Sequence, residues 1–235
     1  MTTHTHEHMQ AHERAHEHAH ERAEICRIGR SLFERGYVHA TAGNISVRLA
    51  DGAGFLITPT DACLGFLDAG ELSFVDADGA HRGGAAPSKT LALHRRIYDA
   101  EPRAHCVLHT HSHHAVALTL AGAWRDDDAL PPITPYFVMK VGHVPLVPYR
   151  RPGDAAVGAL VEQRMRAAHA RNAPIRAVLL ERLGPLVWHA SPAAAMATLE
   201  ELEETARLWL TLNPRPAPLD DDAIDELRAA FGASW

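Results

Sequence analysis

The sequence has little cysteine and no long apolar run. Its three cysteines, Cys26, Cys63 and Cys106, are scattered, and no two of them form a Cys-x-x-Cys pair. An odd number of separated thiols argues against a disulfide framework or a cysteine-based zinc site and indicates a reducing cytoplasm. No apolar run approaches the roughly 18 residues that a membrane span needs, and the N-terminus has no apolar signal core. We therefore predict a cytoplasmic protein with no membrane partner.

Basic charge is also scarce. The formal net charge is −6, and no basic patch with interleaved aromatic residues is present, which argues against general nucleic-acid binding. A hydrophobic content of 46% and a charged content of 22% are typical of a globular protein. The 235 residues suffice for one domain with a sizeable core. A globular domain that acts on a small molecule fits these limits.

Residues 1–22 form a histidine-rich segment in which seven histidines alternate with Glu, Ala and Arg. They are His4, His6, His8, His12, His16, His18 and His20. Such a tract can bind metal ions weakly, or it can be a solvated extension with no such role. Either way, we predict that it lies outside the folded domain.

Residues 23–213 are predicted to form one domain of strands mixed with helices. Ile25, Ile28 and Leu32 recur at helical spacing, which predicts a helix ending near Gly36. Short strands are predicted within 40–50, 54–60, 72–79, 105–110, 175–181 and 186–190, and helices within 88–100, 112–121, 154–170 and 191–213. Residues 214–235 are predicted to be a linker and a short helix. This mixture favours an α/β or α+β layered domain.

The stretch "VLHTHSHH" (107–114) suggests a metal site at the end of a strand. Residues two apart on a strand face the same side, so His109 and His111 could bind one ion at about 2.0–2.1 Å. His113 and His114 lie beyond the predicted strand, where alternation no longer gives a direction. We expect His114 on the following helix, in a polar contact or a cap.

Three turns offer groups that could hold an anion. "TAGNIS" (41–46) combines a flexible glycine with backbone N–H groups beside Asn44 and Ser46. "TPT" (58–60) and "PSKT" (87–90) add hydroxyls and Lys89. Each segment is also explained by ordinary turn or cap chemistry, so both interpretations stay open.

In their order and spacing, "TAGNISVR", "LITPT", "PSKTLALHRRIY", "VLHTHS" and "LLERLGPLVW" resemble the class II aldolase/adducin family over about residues 22–213. "EICRIGRSLFERGYVHATAGNISVRL" and "LEELEETARL" look most like its 3-oxo-tetronate 4-phosphate decarboxylase branch. The resemblance implies an α/β/α sandwich around a mostly antiparallel sheet. It also implies a ring-shaped homotetramer with active sites between subunits.

The resemblance further implies a divalent metal ion, usually zinc, held by three histidines and acting as a Lewis acid on an oxyanion. His109 and His111 match the first two ligands. The other matched positions are Asn44, Thr60 and Ser88 in the phosphate site and Lys89 in a "PSKE" motif. The resemblance also implies that Tyr136 reaches the active site of a neighbouring subunit.

Three positions depart from the family pattern. The third metal histidine belongs in a motif like "NHG", and here Leu183 stands at that position. Thr90 replaces the glutamate that handles protons in the family. Asp61 replaces the glycine of "TPTG", which puts a carboxylate where a phosphate would sit. Together these changes suggest altered chemistry or lost activity.

Glu181 is the first candidate for the missing ligand. If the strand extends to Leu183, residues 181 and 183 share a face, and Glu181 would complete a two-histidine, one-carboxylate set. That set suits non-haem Fe(II) as well as zinc. The other candidates are His113, His114, His143 and His189.

Three functions follow. The first is a metal-dependent carbon–carbon lyase, of decarboxylase or aldolase type, for a small keto or hydroxy acid or sugar-acid derivative, with zinc first and iron or manganese as alternatives. Decarboxylation tolerates loss of the glutamate better than an aldol reaction, because water or Tyr136 could supply the proton. The second is a non-haem Fe(II) oxygenase on His109, His111 and Glu181. The third is a non-catalytic binding or assembly member of the family.

Overall fold

The structure is a computed structural model and describes residues 18–235, so most of the histidine-rich segment lies outside the described residues. An eight-stranded sheet forms its centre, in the order β4-β3-β2-β1-β5-β8-β7-β6. The strands are β1 Asn44–Arg48, β2 Gly54–Ile57, β3 Ser73–Asp76, β4 His81–Gly83, β5 Cys106–His109, β6 Leu146–Val147, β7 Ala177–Leu180 and β8 Gly184–His189. Neighbouring strands are antiparallel except β6 and β7, which are parallel. The predicted mostly antiparallel sheet is confirmed.

Six α-helices surround the sheet within the described residues. They are α1 Ala19–Glu34, α2 Leu91–Ala100, α3 His113–Ala121, α4 Ala156–Ala170, α5 Pro192–Thr211 and α6 Asp221–Phe231. A 3-10 turn spans Leu64–Phe66, and a π-helical turn spans Phe137–Val141. None of the helices in residues 18–235 is long and apolar enough to cross a membrane.

Two apolar clusters, one on each face of the sheet, define three layers. Successive side chains of a strand point to opposite faces. Along β5, Leu108 accordingly joins a cluster with α1, α3 and α5, whereas Val107 joins a cluster with α2 and α4. We call these faces the α1/α3/α5 face and the α2/α4 face. The predicted α/β/α sandwich is confirmed.

Both ends of the described chain pack against this sandwich. The first helix begins at Ala19, and the buried Arg22 side chain donates hydrogen bonds to the carbonyl oxygens of Ala69 and Leu72 at 2.8 and 3.1 Å. The folded part therefore begins before residue 23, the predicted boundary. At the other end, the predicted short helix is α6, and the rings of Trp235 and His143 lie 4.2 Å apart.

Candidate active site

Strand direction brings several of the predicted site residues to one end of the sheet. β1 is antiparallel to β2 and β5, so its start lies beside the ends of both strands. Asn44 is the cross-strand partner of His109. Gly43, with φ of +86°, brings the turn so close that a β-carbon there would lie 2.8 Å from the His109 carbonyl oxygen. This packing places the Gly-Asn turn directly against the histidine motif.

His109 ends β5 as a buried side chain on the α2/α4 face. Its Nδ1 lies 2.9 Å from the carbonyl oxygen of Pro185. A carbonyl can only accept, so Nδ1 carries the hydrogen and Nε2 keeps its lone pair. Burial, together with His111, lowers the pKa of His109 to about 4. The imidazole is therefore neutral at physiological pH and oriented as metal-bound histidines usually are.

His111 lies beyond the end of β5, so strand alternation does not place it. Its ring centroid is nevertheless 5.0 Å from that of His109, and the two rings suit a shared ion. A third ring, that of His39, lies 6.5 Å from His111. Burial and the neighbouring His39 lower the pKa of His111. Sequence reasoning missed His39, because it stands in a loop with no motif spacing to the other two.

The structural premise for Glu181 is wrong. β7 ends at Leu180, β8 begins at Gly184, and residues 181–183 form the turn between them. The Leu183 side chain packs against the apolar cluster of the α2/α4 face. Glu181 Oε2 accepts a 2.8 Å hydrogen bond from the Tyr149 backbone N–H, while Oε1 lies 4.0 Å from Arg182 Nε. The two residues therefore do not share a strand face.

The other candidate histidines have different surroundings. His113 is exposed at the start of α3, and His114 Nδ1 lies 2.9 Å from Glu203 Oε1. His143 Nδ1 lies 2.7 Å from Asp128 Oδ2. His189 is the cross-strand partner of Cys106, at the far end of β5. Within residues 18–235, no group of three or more His, Cys, Asp or Glu side chains is arranged to hold a metal ion. His109 and His111 are therefore two candidate ligands for a metal ion, and a third ligand would be needed to complete the site.

Asn44, one of the anion-binding candidates, lies beside this pair as the cross-strand partner of His109. Asn44 is only 6% exposed, and its Oδ1 has no hydrogen-bond partner among the described residues. The Ser88 backbone N–H donates to the Thr58 carbonyl at 3.2 Å, and the Thr60 N–H donates to the Ala86 carbonyl at 2.9 Å. These bonds hold the "TPT" and "PSKT" segments side by side. A buried acceptor without a partner is costly, so Asn44 is the clearest ligand-binding group here.

Thr90 and Lys89 follow Ser88 at the start of α2. The Thr90 hydroxyl lies 2.9 Å from Ser88 Oγ, and the Lys89 side chain is exposed. A threonine hydroxyl does not titrate near neutral pH, so Thr90 cannot exchange protons as the family's glutamate does. Thr90 is therefore suited to hydrogen bonding rather than to proton transfer.

Asp61 preserves the turn of the glycine that it replaces. Its φ is +55°, in the left-handed region that glycine favours and that aspartate tolerates better than most residues. Its side chain is exposed. The substitution therefore changes charge and size at this turn without requiring a new backbone conformation.

Tyr136 immediately precedes the π-helical turn and is 59% exposed. An exposed tyrosine of this kind is available to another copy of the chain.

A buried polar network supports the site from the α2/α4 face. Ser46 Oγ lies 2.7 Å from His94 Nδ1 and 2.8 Å from the Tyr98 hydroxyl. Burial, with His109 as a smaller cause, lowers the pKa of His94 to about 3. His94 is therefore neutral beside His109. Helical spacing predicts that His94 and Tyr98 face inward, but only the packed sheet shows that they meet Ser46.

Glu203 fixes the segment that follows His111. Its carboxylate accepts hydrogen bonds from the backbone N–H groups of His114 at 2.7 Å and Ala115 at 2.9 Å. The donors belong to the first turn of α3, so the acidic group caps the helix. The two partners are 88 and 89 residues apart in sequence, and no local pattern reveals them.

This geometry can be compared with known proteins. The family model described as class II aldolase and adducin N-terminal domain matches residues 23–210. The chain belongs to the class II aldolase and adducin family. It is 58% identical to the 3-oxo-tetronate 4-phosphate decarboxylase of Cupriavidus necator over 219 residues, which are 91% of this chain and 97% of the relative. A relative of the same name from Escherichia coli K12 is 43% identical over 88% of this chain and 95% of its own.

Solved structures of the family agree with the fold. The crystal structure of YgbL from Escherichia coli superposes with a TM-score of 0.78 at 42% identity, covering 88% of this chain and 97% of its own. An L-fuculose 1-phosphate aldolase superposes with a TM-score of 0.75 at 20% identity, covering 90% and 95%. At that identity the second likeness shows the fold alone. The curated relatives that this chain resembles include decarboxylases and an L-fuculose phosphate aldolase, so the chain is an enzyme, and the non-catalytic alternative is not supported.

Proposed function

We propose that this enzyme is a metal-dependent decarboxylase of 3-oxo-tetronate 4-phosphate. The observation that carries the proposal is the 58% identity to a decarboxylase of that substrate across nearly the whole of both chains. The site supports it, because a neutral histidine pair lies beside an unpartnered buried amide oxygen. We include a cytoplasmic location and a homotetramer in this proposal.

His109 and His111 would hold the metal ion through their Nε2 and a ring nitrogen, respectively. Zinc is the first choice, with iron or manganese as alternatives. When bound, the ion supplies a positive charge that stabilises the oxyanion formed from the substrate carbonyl. Zinc is usually bound by a neutral imidazole that a second hydrogen bond orients. The imidazole of His109 is neutral, and its bond to the Pro185 carbonyl orients it.

The chain's own residues bind and orient the substrate. The carbon–carbon bond to the carboxylate breaks, carbon dioxide leaves, and the bonding electrons pass to the neighbouring carbonyl to give an enolate. The adjacent carbon then takes one proton. Asn44 Oδ1 accepts from a substrate hydroxyl, while the turn residues Thr60 and Ser88 hold the phosphate, with Lys89 as the nearby cation.

The proton must come from a group other than Thr90. Its hydroxyl does not titrate near neutral pH, so it orients Ser88 or a water molecule. The proton donor is either a water molecule or Tyr136 of another copy of the chain. This requirement favours decarboxylation over aldol cleavage, because decarboxylation needs no base to remove a proton before the carbon–carbon bond breaks.

The oxygenase alternative lacks a specific observation in its favour. It needs Glu181 beside the two histidines, and the carboxylate of Glu181 instead accepts from Tyr149. The experiment that tests both functions supplies purified protein with Zn²⁺, Mn²⁺ or Fe²⁺ and 3-oxo-tetronate 4-phosphate, and it follows carbon dioxide release and oxygen uptake together.

We expect carbon dioxide release without oxygen uptake, and its loss in the His109→Ala variant. The unphosphorylated 3-oxo acid is the matched control substrate and should turn over more slowly. If no metal ion supports carbon dioxide release from either acid, the proposed function is wrong. Oxygen uptake with Fe²⁺ would favour the oxygenase instead.

A further inference from the structure

We propose that His39 is the third metal ligand, in place of the histidine that the family carries at position 183. The inference rests on the proposed function, because it assumes that His109 and His111 bind a metal ion. It concerns a residue in the loop between α1 and β1, which contributes no ligand in the family pattern described above.

The ring of His39 lies near the histidine pair but outside ligand distance of a shared ion, so ligation requires His39 to move. Two imidazoles bound to one tetrahedral ion at about 2.1 Å have ring centroids about 5 Å apart. His109 and His111 meet that value at 5.0 Å. His39 and His111 are 6.5 Å apart with their planes at 70°, so His39 must approach by about 1.5 Å. Its side chain is exposed, and a rotation about its side-chain bonds can supply that movement.

The backbone of the loop keeps His39 within reach. Val38 is buried in the cluster of the α1/α3/α5 face, and the Ala42 N–H donates to the His39 carbonyl at 2.9 Å. On the other side, Gly43 packs closely against the backbone of His109. The loop is thus fixed at both sides of His39, and ligation requires a change of side-chain rotamer rather than a refolded loop.

The competing donors are less suitable. Leu183 has no ligand atom, and Glu181 already accepts a backbone hydrogen bond. His114 is held by Glu203 in the first turn of α3, and His143 is bonded to Asp128. Among the ring contacts of the described residues, those of His111 are with His109 and His39.

A set of three neutral imidazoles has a chemical consequence. It leaves the full charge of a divalent ion uncompensated by a carboxylate, with one position open for substrate, as in catalytic zinc sites. A two-histidine, one-carboxylate set would instead suit Fe(II). The proposal therefore also favours zinc over iron at this site.

The test measures metal affinity of the full-length protein, so that the N-terminal histidines are the same in every sample. The variants are His39→Gln, His109→Gln and, as a matched control, His81→Gln, which removes an exposed histidine on the edge strand β4. Zn²⁺ affinity is measured by competition with a chelator, and the visible absorption of bound Co²⁺ reports tetrahedral geometry. Far-UV circular dichroism checks that each variant is folded.

We expect His39→Gln and His109→Gln to weaken the tightest site by at least about 100-fold, with loss of the tetrahedral Co²⁺ absorption, and His81→Gln to behave as the wild type. If only His109→Gln weakens binding, His39 is not a ligand and the proposed function stands. If His109→Gln and His39→Gln both bind as the wild type does, the metal site of the proposed function is wrong as well.

Discussion

Removal of the Glu203 carboxylate should destabilise the fold far more than removal of its neighbour Glu204. The Glu203 side chain is 3% exposed and accepts from two backbone N–H groups of α3. Glu204 is 47% exposed and pairs with Arg207 one turn along the same helix. The two glutamates share a helix and a chemistry, so the difference between the variants reports the buried contacts of Glu203, which include His114 Nδ1 at 2.9 Å.

The magnitude follows from the groups left without partners. A hydrogen bond to a charged group contributes about 1.5–3 kcal/mol, and loss of a helix cap costs about 0.5–2 kcal/mol. These effects overlap, so we expect Glu203→Ala to lower the free energy of unfolding by about 3 kcal/mol. For a chain of this size that corresponds to a fall in Tm of roughly 6–12 °C. An exposed ion pair contributes little, so Glu204→Ala should cost less than about 0.5 kcal/mol.

The assay is urea denaturation of the metal-free protein, with all variants at one protein concentration because assembly would add to the apparent stability. Glu203→Gln keeps the size and one acceptor oxygen, and it should fall between the wild type and Glu203→Ala. Metal affinity should also drop in Glu203→Ala, because α3 begins two residues after His111. Equal stability of Glu203→Ala and Glu204→Ala would refute the role given to this cap.

Three further predictions concern the same end of the sheet. Burial lowers the pKa of His94 to about 3, so as pH falls the unfolded chain binds a proton at this histidine before the folded chain does. The free energy of unfolding should therefore decline below about pH 6.5, by about 2 kcal/mol between pH 7 and 5 from this group. In urea titrations His94→Gln should show a shallower decline with pH, and an equal slope would contradict the assignment. Gly43→Ala should lower the free energy of unfolding by at least about 2 kcal/mol more than Gly52→Ala does, because both glycines have a positive φ but only a β-carbon at position 43 would clash with His109. Equal midpoints in denaturant would argue against this close approach. Asp61→Asn keeps a residue that tolerates a positive φ and removes the negative charge. Because that charge repels a phosphate, the KM for the phosphorylated substrate should fall roughly fivefold. An unchanged KM would mean that the carboxylate does not face the phosphate.

The fold was largely readable from local patterns. Apolar spacing predicted the first helix, and short apolar runs bounded by turn residues predicted strands that the structure contains. The ordered motifs indicated the family, which the family match over residues 23–210 confirms. α1 begins at Ala19, before the predicted boundary at residue 23. Arg22 within it donates hydrogen bonds to the carbonyl oxygens of Ala69 and Leu72, and no local pattern reveals these contacts.

The site was readable only in part. The spacing of His109 and His111 predicts that they share one metal ion. Their rings lie 5.0 Å apart, but the strand ends at His109, so strand alternation does not explain this proximity. The expectation for Glu181 depended on two more residues of strand. β7 ends at Leu180, and the turn that follows directs Glu181 and Leu183 to different neighbours.

The amino-acid sequence already identifies the chemical groups that the enzyme can use. They are the paired imidazoles, the Gly-Asn turn, and Leu183, Thr90 and Asp61 in place of the family's residues. Which of these groups meet depends on how the layers pack. His39 lies near His111, and Glu203 caps the helix that follows it, because the loops and α5 are brought there by packing of the layers. Residues distant in sequence become neighbours through the burial of apolar faces, and that burial leaves no local pattern at the polar positions themselves.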